Sequence, residues 1–286
     1  MRLGYLGPAG TFAQAALRAS AGAAADDAEL VPLAGVHDTV IAVRDGTVDR
    51  GIVPIENSVE GSVNTTLDAL TLDAPEVAIV GEHVLPVRLA LIARAGVDLA
   101  DIAAVVSHPH ATAQCARFLR EHLPGARVLP ASSTAEAVRT VAEGDDPWAA
   151  IGTPLAAELY GAVVLRDAVE DEHEHATRFV WLSRDRTPWP QPAGGAPFKT
   201  SIVFAGAGDD SPGWLVRCLS EFAFRGVNLS RIESRPQRGR LGHYLFLVDA
   251  DGRDTATPVG EAVAALGNHC QEVRVIGSYA AAPGHA

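Results

Sequence analysis

Residues 1–21 read MRLGYLGPAGTFAQAALRASA, and this stretch decides how the rest is parsed. Residues 3–6 form a short apolar run that stops at Gly7-Pro8, the composition of a strand entering a loop. Gly7-Pro8-Ala9-Gly10-Thr11 follows, and an Ala-rich helix begins at about Phe12. Thr11 suits the N-cap of that helix, because its hydroxyl can accept from an otherwise orphaned amide. Strand, Gly-rich loop and helix together make the opening unit of an α/β fold.

The same alternation continues outward. Residues 37–46 read as a helix and 50–54 as a strand; 78–80 and 87–93 are strand candidates, the second apolar on both faces as buried strands are. A strand at 103–107 leads to a helix over 111–123. Residues 127–130 lead to a helix over 134–142, and 149–151 to a helix near 155–159. Residues 163–165 and 178–182 close this part. Strands alternating with helices predict an α/β region with largely parallel sheets. Ligands of such folds bind beyond the carboxyl ends of strands. The three most polar loops follow strands, after Leu6, Val53 and Val106.

Residues 187–197 hold Pro188, Pro190, Pro192 and Pro197 with Gly194 and Gly195, a linker composition that splits the chain near residue 190. Beyond it the pattern is strand 200–204, helix 213–224, strands 228–234 and 243–248, helix 259–266 and strand 273–279. Ser211 and Pro212 suit N-cap and N1 of the first of these helices, and Gly226 suits its stop. The order βαββαβ is the ferredoxin-like arrangement. The expected division is 1–184, a linker over 185–198, and 199–280.

The chain has 286 residues, 48% hydrophobic, and a formal net charge of −12 with Lys199 the single lysine. That balance argues against nucleic-acid binding. It also repels anions, so an anion site has to be built locally from Arg side chains or helix N-termini. Cys115, Cys218 and Cys270 form no CxxC pair, and reduced thiols are expected. The first residues run straight into a strand without a leader-like segment, and no apolar run approaches membrane-spanning length. A cytoplasmic protein is expected.

Several segments resemble, in order and spacing, the prephenate dehydratase family: Gly7-Pro8-Ala9-Gly10-Thr11-Phe12, Val53-Pro54-Ile55-Glu56-Asn57-Ser58, Ser107-His108-Pro109 with Gln114, and Thr177-Arg178-Phe179. After the linker, Gly213 with Leu215 and Val216, and Glu233-Ser234-Arg235-Pro236, resemble the phenylalanine-site motifs of that family's ACT domain. The resemblance covers roughly residues 1–280. It implies two α/β lobes like a small periplasmic binding protein, with the active site in the cleft, followed by an ACT regulatory domain. It implies decarboxylating dehydration of prephenate to phenylpyruvate in phenylalanine biosynthesis, without metal or organic cofactor, in a homodimer or homotetramer inhibited by phenylalanine.

The resemblance makes Thr177 the donor to the leaving hydroxyl; otherwise it is a structural threonine before a strand. Arg178 would pair with a substrate carboxylate, or else with the acidic stretch Glu170-Asp171-Glu172. Asn57 and Ser58 would hydrogen-bond substrate, or merely form an Asx-type turn with Gly61 beyond it. Glu56 is harder to place, since a carboxylate repels prephenate. Ser107 and Gln114 stand between site and helix-cap or surface roles, Thr11 between anion site and cap, and Phe179 reads chiefly as core. Gly213, Trp214, Leu215, Asn228, Glu233 and Ser234 are the implied effector residues, with Trp214 standing where a small residue is usual. His175 replaces the family's usual Asn. His173 and His175, spaced i, i+2 between glutamates, are poor metal ligands, and no metal is expected. A non-aromatising decarboxylase, an arogenate dehydratase and a solute-binding protein are the rival readings.

Overall fold

The computed structural model describes residues 1–172, 174–191, 194–206, 211–238 and 242–282. His173 and Pro192, both read above, lie outside the described residues.

The opening unit folds as its sequence suggests. Strand β1 (Arg2–Leu6) leads through the Gly-rich loop to helix α1 (Phe12–Ala21), whose N-cap Thr11 accepts from the Gln14 amide. Ala13, Ala16 and Leu17 seat α1 on Leu3, Tyr5, Phe179 and Trp181, all buried. The chain continues through α2 (Ala23–Asp26), β2 (Glu29–Leu33), α3 (Val36–Arg44), β3 (Arg50–Asn57), β4 (Gly61–Ser62), α4 (Asn64–Asp68), a π-helical turn (Ala69–Asp73) and β5 (Ala78–Pro86). It then crosses to a second lobe: β6 (Ala90–Ala93), β7 (Ala104–Ser107), α5 (Pro109–Gln114), α6 (Ala116–His122), β8 (Arg127–Pro130), α7 (Thr134–Glu143), β9 (Trp148–Gly152), α8 (Pro154–Tyr160) and β10 (Val163–Arg166). Strand β11 (Ala176–Ser183) returns to the first lobe. The C-terminal unit is β12 (Phe198–Ala205), α9 (Trp214–Ala223), β13 (Leu229–Pro236), β14 (Tyr244–Asp251), α10 (Thr257–Leu266) and β15 (Glu272–Ala280).

The sheets are mixed, not largely parallel. In the first lobe β1 pairs parallel with β2 and β3, but β11 inserts antiparallel between β3 and β5. In the second, β7 is parallel to β8 and β9, while β6 runs antiparallel to both of its neighbours, β9 and β10. The crossings between lobes cause this, because a strand arriving from the other lobe need not follow the right-handed crossover of a βαβ unit. Strand β2 was not expected. Its Pro32 removes a ladder donor, and the structure accepts it because β2 is the outermost strand of its sheet. The helix expected over 111–123 is broken at Cys115, which leaves helical geometry at φ −117°, ψ 19°.

The C-terminal strands run in the order β13-β14-β12-β15 with α9 and α10 packed on one face, as the βαββαβ pattern predicts. Gly213, left-handed at φ 77°, caps α9, so neither Ser211 nor Pro212 takes the position expected of it. The other sheet face shares a core with the first lobe, where Val203, Leu247 and Tyr279 meet Val53, Leu70 and Ile79. Strand β15 even joins the first-lobe sheet through Gly277 opposite Ile79, where a Cβ would strike the Ile79 carbonyl. The proline-rich segment is not free where it is described. The Trp189 amide donates to the Val80 carbonyl at 2.8 Å, and its ring stands edge-on to Trp181. Cys218 and Cys270, distant in sequence, meet with sulfurs 3.6 Å apart.

Candidate active site

Between the lobes lies a cavity of about 530 Å³. Its walls come from the loop after β1 and the start of α1, the ends of β3 and β11, the crossing at Val87 and Leu89, and the beginnings of α5 and α7. The lobes are tied at its edge. The Thr153 hydroxyl donates to the Gly10 carbonyl at 2.6 Å and the Tyr160 hydroxyl to the Ala9 carbonyl at 2.8 Å. Gly10 (φ 88°) touches α8 so closely that a Cβ would lie 2.8 Å from that of Ala156. On the open side His110 Nδ1 meets Glu60 Oε1 at 2.5 Å.

Strand pairing sorts the motif residues by face. Thr177 lies opposite Asn57 and Arg178 opposite Glu56 in the β11–β3 ladder. Opposed residues share a face and successive ones alternate, so the first pair looks into the cavity and the second away from it. The Asn57 side-chain nitrogen donates to Thr177 Oγ1 at 2.9 Å. Its oxygen accepts from the amides of Val59 and Glu60, each at 3.0 Å, and lies 3.0 Å from His175 Nε2. The Asx turn is therefore real, and it is also what aims Asn57. Thr177 Oγ1 accepts this hydrogen bond, and its own proton remains available for donation. Burial pushes the His175 imidazole below its ordinary value, against Glu60 and Glu170, which attract a proton.

Gln114, Thr11 and Phe179 also line the cavity. Phe179 belongs to the first-lobe core as well. The Thr11 hydroxyl is spent on the Leu6 carbonyl at 2.7 Å, so its contribution is the helix N-terminus it caps. Five expected residues stand elsewhere. Arg178 is buried with Glu82 (3.1 Å), Asp249 (2.7 Å) and Glu56 (3.2 Å), which is neither the substrate role nor the acidic partner 170–172 expected for it. Glu56 is the outer member of that set. The Ser58 hydroxyl accepts from the Ala176 amide and staples the turn to β11. Ser107 is fully buried, donating to the Ile151 carbonyl at 2.6 Å, and His108 rather than Ser107 caps α5. Gly61, at φ 82° opposite Asn57, closes the β3–β4 turn without lining the cavity.

Among the described residues no Arg or Lys lines the cavity, and the basic side chains there are His108, His110 and His175. Attraction for an anion therefore falls to imidazoles and to the N-termini of α1 and α7, whose first amides lack intrahelical acceptors. Ser132, Ser133 and Thr134, at the start of α7, were missed in the sequence. Ser133 followed three residues later by Glu136 is the capping signature that marks such a start.

A second cavity of about 250 Å³ lies in the C-terminal unit, lined by Gly213, Trp214 and Leu215 with Tyr244 and Phe246. Asn228, Glu233 and Ser234 do not line it. Asn228 binds Asp251 at 2.7 Å, and Glu233 accepts from Ser62 of the first lobe at 2.7 Å. Trp214 is buried against Phe204 and Phe246, and its indole N–H donates to the His269 carbonyl at 2.7 Å. Among the described residues no helix is long and apolar enough to cross a membrane.

Residues 3–187 match the family model described as prephenate dehydratase. A prephenate dehydratase of Amycolatopsis methanolica is 41% identical over 285 residues, covering 100% of this chain and 90% of its own length. One from Mycobacterium tuberculosis H37Rv is 40% identical over 289 residues, covering 99% and 88%. The solved prephenate dehydratase of Arthrobacter aurescens in complex with L-Phe is 43% identical with a TM-score of 0.86, covering 98% of this chain and 90% of that one. A solved structure described as GqqA, a novel type of quorum quenching acylase, is 31% identical with a TM-score of 0.86 and covers 100% of each chain. On the family model and on full-length relatives at this identity, the chain belongs to the prephenate dehydratase family of enzymes.

Proposed function

We propose that the interlobe cavity carries out the decarboxylating dehydration of prephenate to phenylpyruvate, with Thr177 hydrogen-bonding the leaving ring hydroxyl. The observation that carries this reading is the Asn57–Thr177 bond, which uses Oγ1 as an acceptor and leaves its proton free to be donated. A threonine hydroxyl is a weak acid, so its use depends on orientation and on a dry, preorganised surround. The substrate carboxylates are received by the amides opening α1 and α7, and Gln114 supplies a further polar contact. As one carboxylate leaves as CO2, its electron pair enters the ring and the C–O bond to the hydroxyl breaks. The hydroxyl departs as water with the proton from Thr177, which is then reprotonated from solvent. Aromatisation drives the step.

Acyl transfer, the chemistry named for GqqA, requires a nucleophile set against a base. Thr177 meets an amide there, which favours the dehydratase reading.

Residues 1–184 are assigned to catalysis, 185–198 to the connection, and 199–280 to an ACT domain that binds phenylalanine as a feedback inhibitor. The L-Phe complex of the Arthrobacter relative and the cavity beside Gly213, Trp214 and Leu215 support this. A cytoplasmic homo-oligomer completes the reading. The test is incubation of purified protein with prephenate, with and without phenylalanine, following phenylpyruvate absorbance; absence of product removes the catalytic assignment, and phenylalanine-independent turnover removes the regulatory one.

A further inference from the structure

His175 stands beside Thr177 in the cavity wall yet bonds to Asn57. The orientation of Asn57 is settled by its neighbours. Two backbone amides point at one side-chain atom, and amides only donate, so that atom is the oxygen. Nε2 of His175, facing the same oxygen at 3.0 Å, must then carry hydrogen. In the neutral ring Nδ1 is the bare nitrogen, and protonation adds a hydrogen there without disturbing the Nε2–H bond to Asn57. Two properties of His175 are thereby separable: a donor present in both ionisation states, and a charge present only in one.

We propose that His175 is a positioning residue for the dehydration, its Nε2–H fixing the Asn57 amide that orients Thr177 while its ring charge governs how strongly the cavity attracts an anionic substrate. This rests on the role given to Thr177 above. Donation into the Asn57 carbonyl polarises the amide and strengthens the N–H that Thr177 receives, so the chain of bonds acts as one unit. Among the described residues, charged groups reach the ring from several neighbouring elements. Glu60 approaches from the β3–β4 turn and Glu170 from the segment entering β11, and both favour the cation. Glu174 is its chain neighbour, and His108 and His110 share the cavity from α5. Burial outweighs the two attractive glutamates and keeps the free ring neutral near pH 7. A bound dianion adds a further attraction, so substrate and proton bind cooperatively, and lower pH favours binding.

The experiment compares wild type, His175→Gln and His175→Ala in kcat and KM from about pH 8 to about pH 6, a range chosen to span the ordinary imidazole titration. The uncatalysed acid decay of prephenate is subtracted. Gln places a side-chain N–H near the position of Nε2 but does not ionise. It should keep kcat within about threefold of wild type, and it should lose the part of the fall in KM toward low pH that belongs to His175. Ala removes the donor and should lower kcat by about tenfold, the scale of one lost oriented hydrogen bond. Wild-type kcat in a folded Ala variant, or a wild-type KM profile in the Gln variant, overturns the proposal. If the Ala variant does not fold, the Gln profile decides alone. Thr177→Ala is assayed alongside: undiminished turnover there fails the reading of the cavity itself, whatever the His175 variants do.

Discussion

Thr177 and Arg178 are neighbours in one strand and face opposite worlds. On the Thr177 side is a cavity with no Arg or Lys among its described lining residues, shaped by helix N-termini, imidazoles and amides. On the Arg178 side is a buried junction between the first lobe and the C-terminal unit. There Arg178 meets Glu82 and Asp249, Lys199 meets Glu82 at 3.1 Å, and Ser201 joins Asp249 to Tyr279. In a chain of net charge −12 the single lysine and a buried arginine join the units, while the described lining of the cavity offers imidazoles, amides and helix N-termini. A dipole site can be strong where water is excluded and the groups are fixed in advance. Buried full charges, by contrast, need full charges as partners.

The largest effect should come from the cavity face. Thr177→Ala is expected to lower turnover by about 10²–10⁴, the usual range for losing a positioned proton donor, with an unchanged melting temperature. Near-normal turnover in the folded variant would erase the functional contrast between the two faces.

Next in size is the junction. Arg178→Ala leaves the Glu82 and Asp249 carboxylates short of their partner in a buried site, and breaking such a pair costs about 3–5 kcal/mol. The expectation is a steep loss of stability in denaturant melts, with activity falling because the protein unfolds. A variant as stable as wild type but with a raised KM would restore Arg178 to the substrate and collapse the comparison.

How much of this division was legible in the sequence can be judged on these same residues. The alternation of Thr177, Arg178 and Phe179 along a strand already puts the arginine on a different face from its neighbours. The family resemblance, which treats the three as one motif, pulled the other way. The strand order was out of reach, because β11 pairs with β3 and β5 across roughly a hundred residues or more and local periodicity carries no such information. The α1 cap at Thr11 and the βαββαβ order were readable because each is a local signal. The junction depends on which residues of two separately patterned units come to share a buried space, and that is decided by docking.

A smaller effect tests the charge at the junction directly. Burial works to raise the Asp249 carboxyl, but Arg178, Arg231 and Ser201 outweigh it and hold it below the usual carboxylate range. A depressed carboxylate contributes stability that is present above its unfolded value, about 3.9, and is lost as pH falls through the lower folded value. Asp249→Asn should therefore be less stable than wild type at pH 7 by about 1–3 kcal/mol, the cost of an impaired buried hydrogen bond to charge. The gap should narrow below about pH 4 as the wild-type carboxyl protonates. A gap of equal size at pH 7 and pH 3 would show that shape, not charge, matters at Asp249.

The smallest expected effect concerns how far the junction side reaches. Trp214 does two jobs at once: it lines the C-terminal cavity and fills the core beneath α9, with its N–H on the His269 carbonyl. Trp214→Ala would confuse the two, since emptying a core position of this size costs about 3–5 kcal/mol on its own. Trp214→Phe keeps an aromatic ring and removes the indole N–H, a loss of about 1 kcal/mol. If phenylalanine occupies this cavity as proposed, the substitution alters the pocket wall and should shift the inhibition curve several-fold. Uninhibited turnover should stay unchanged, because Trp214 is absent from the interlobe cavity. An unshifted curve assigns Trp214 to packing alone. Calorimetry on the wild-type protein decides the prior question, because without phenylalanine binding there is no effector for this side of the molecule to report. A shift in inhibition with constant basal rate would place Trp214 at the effector site, and inhibition would then rest on differential affinity of phenylalanine for two states of the enzyme.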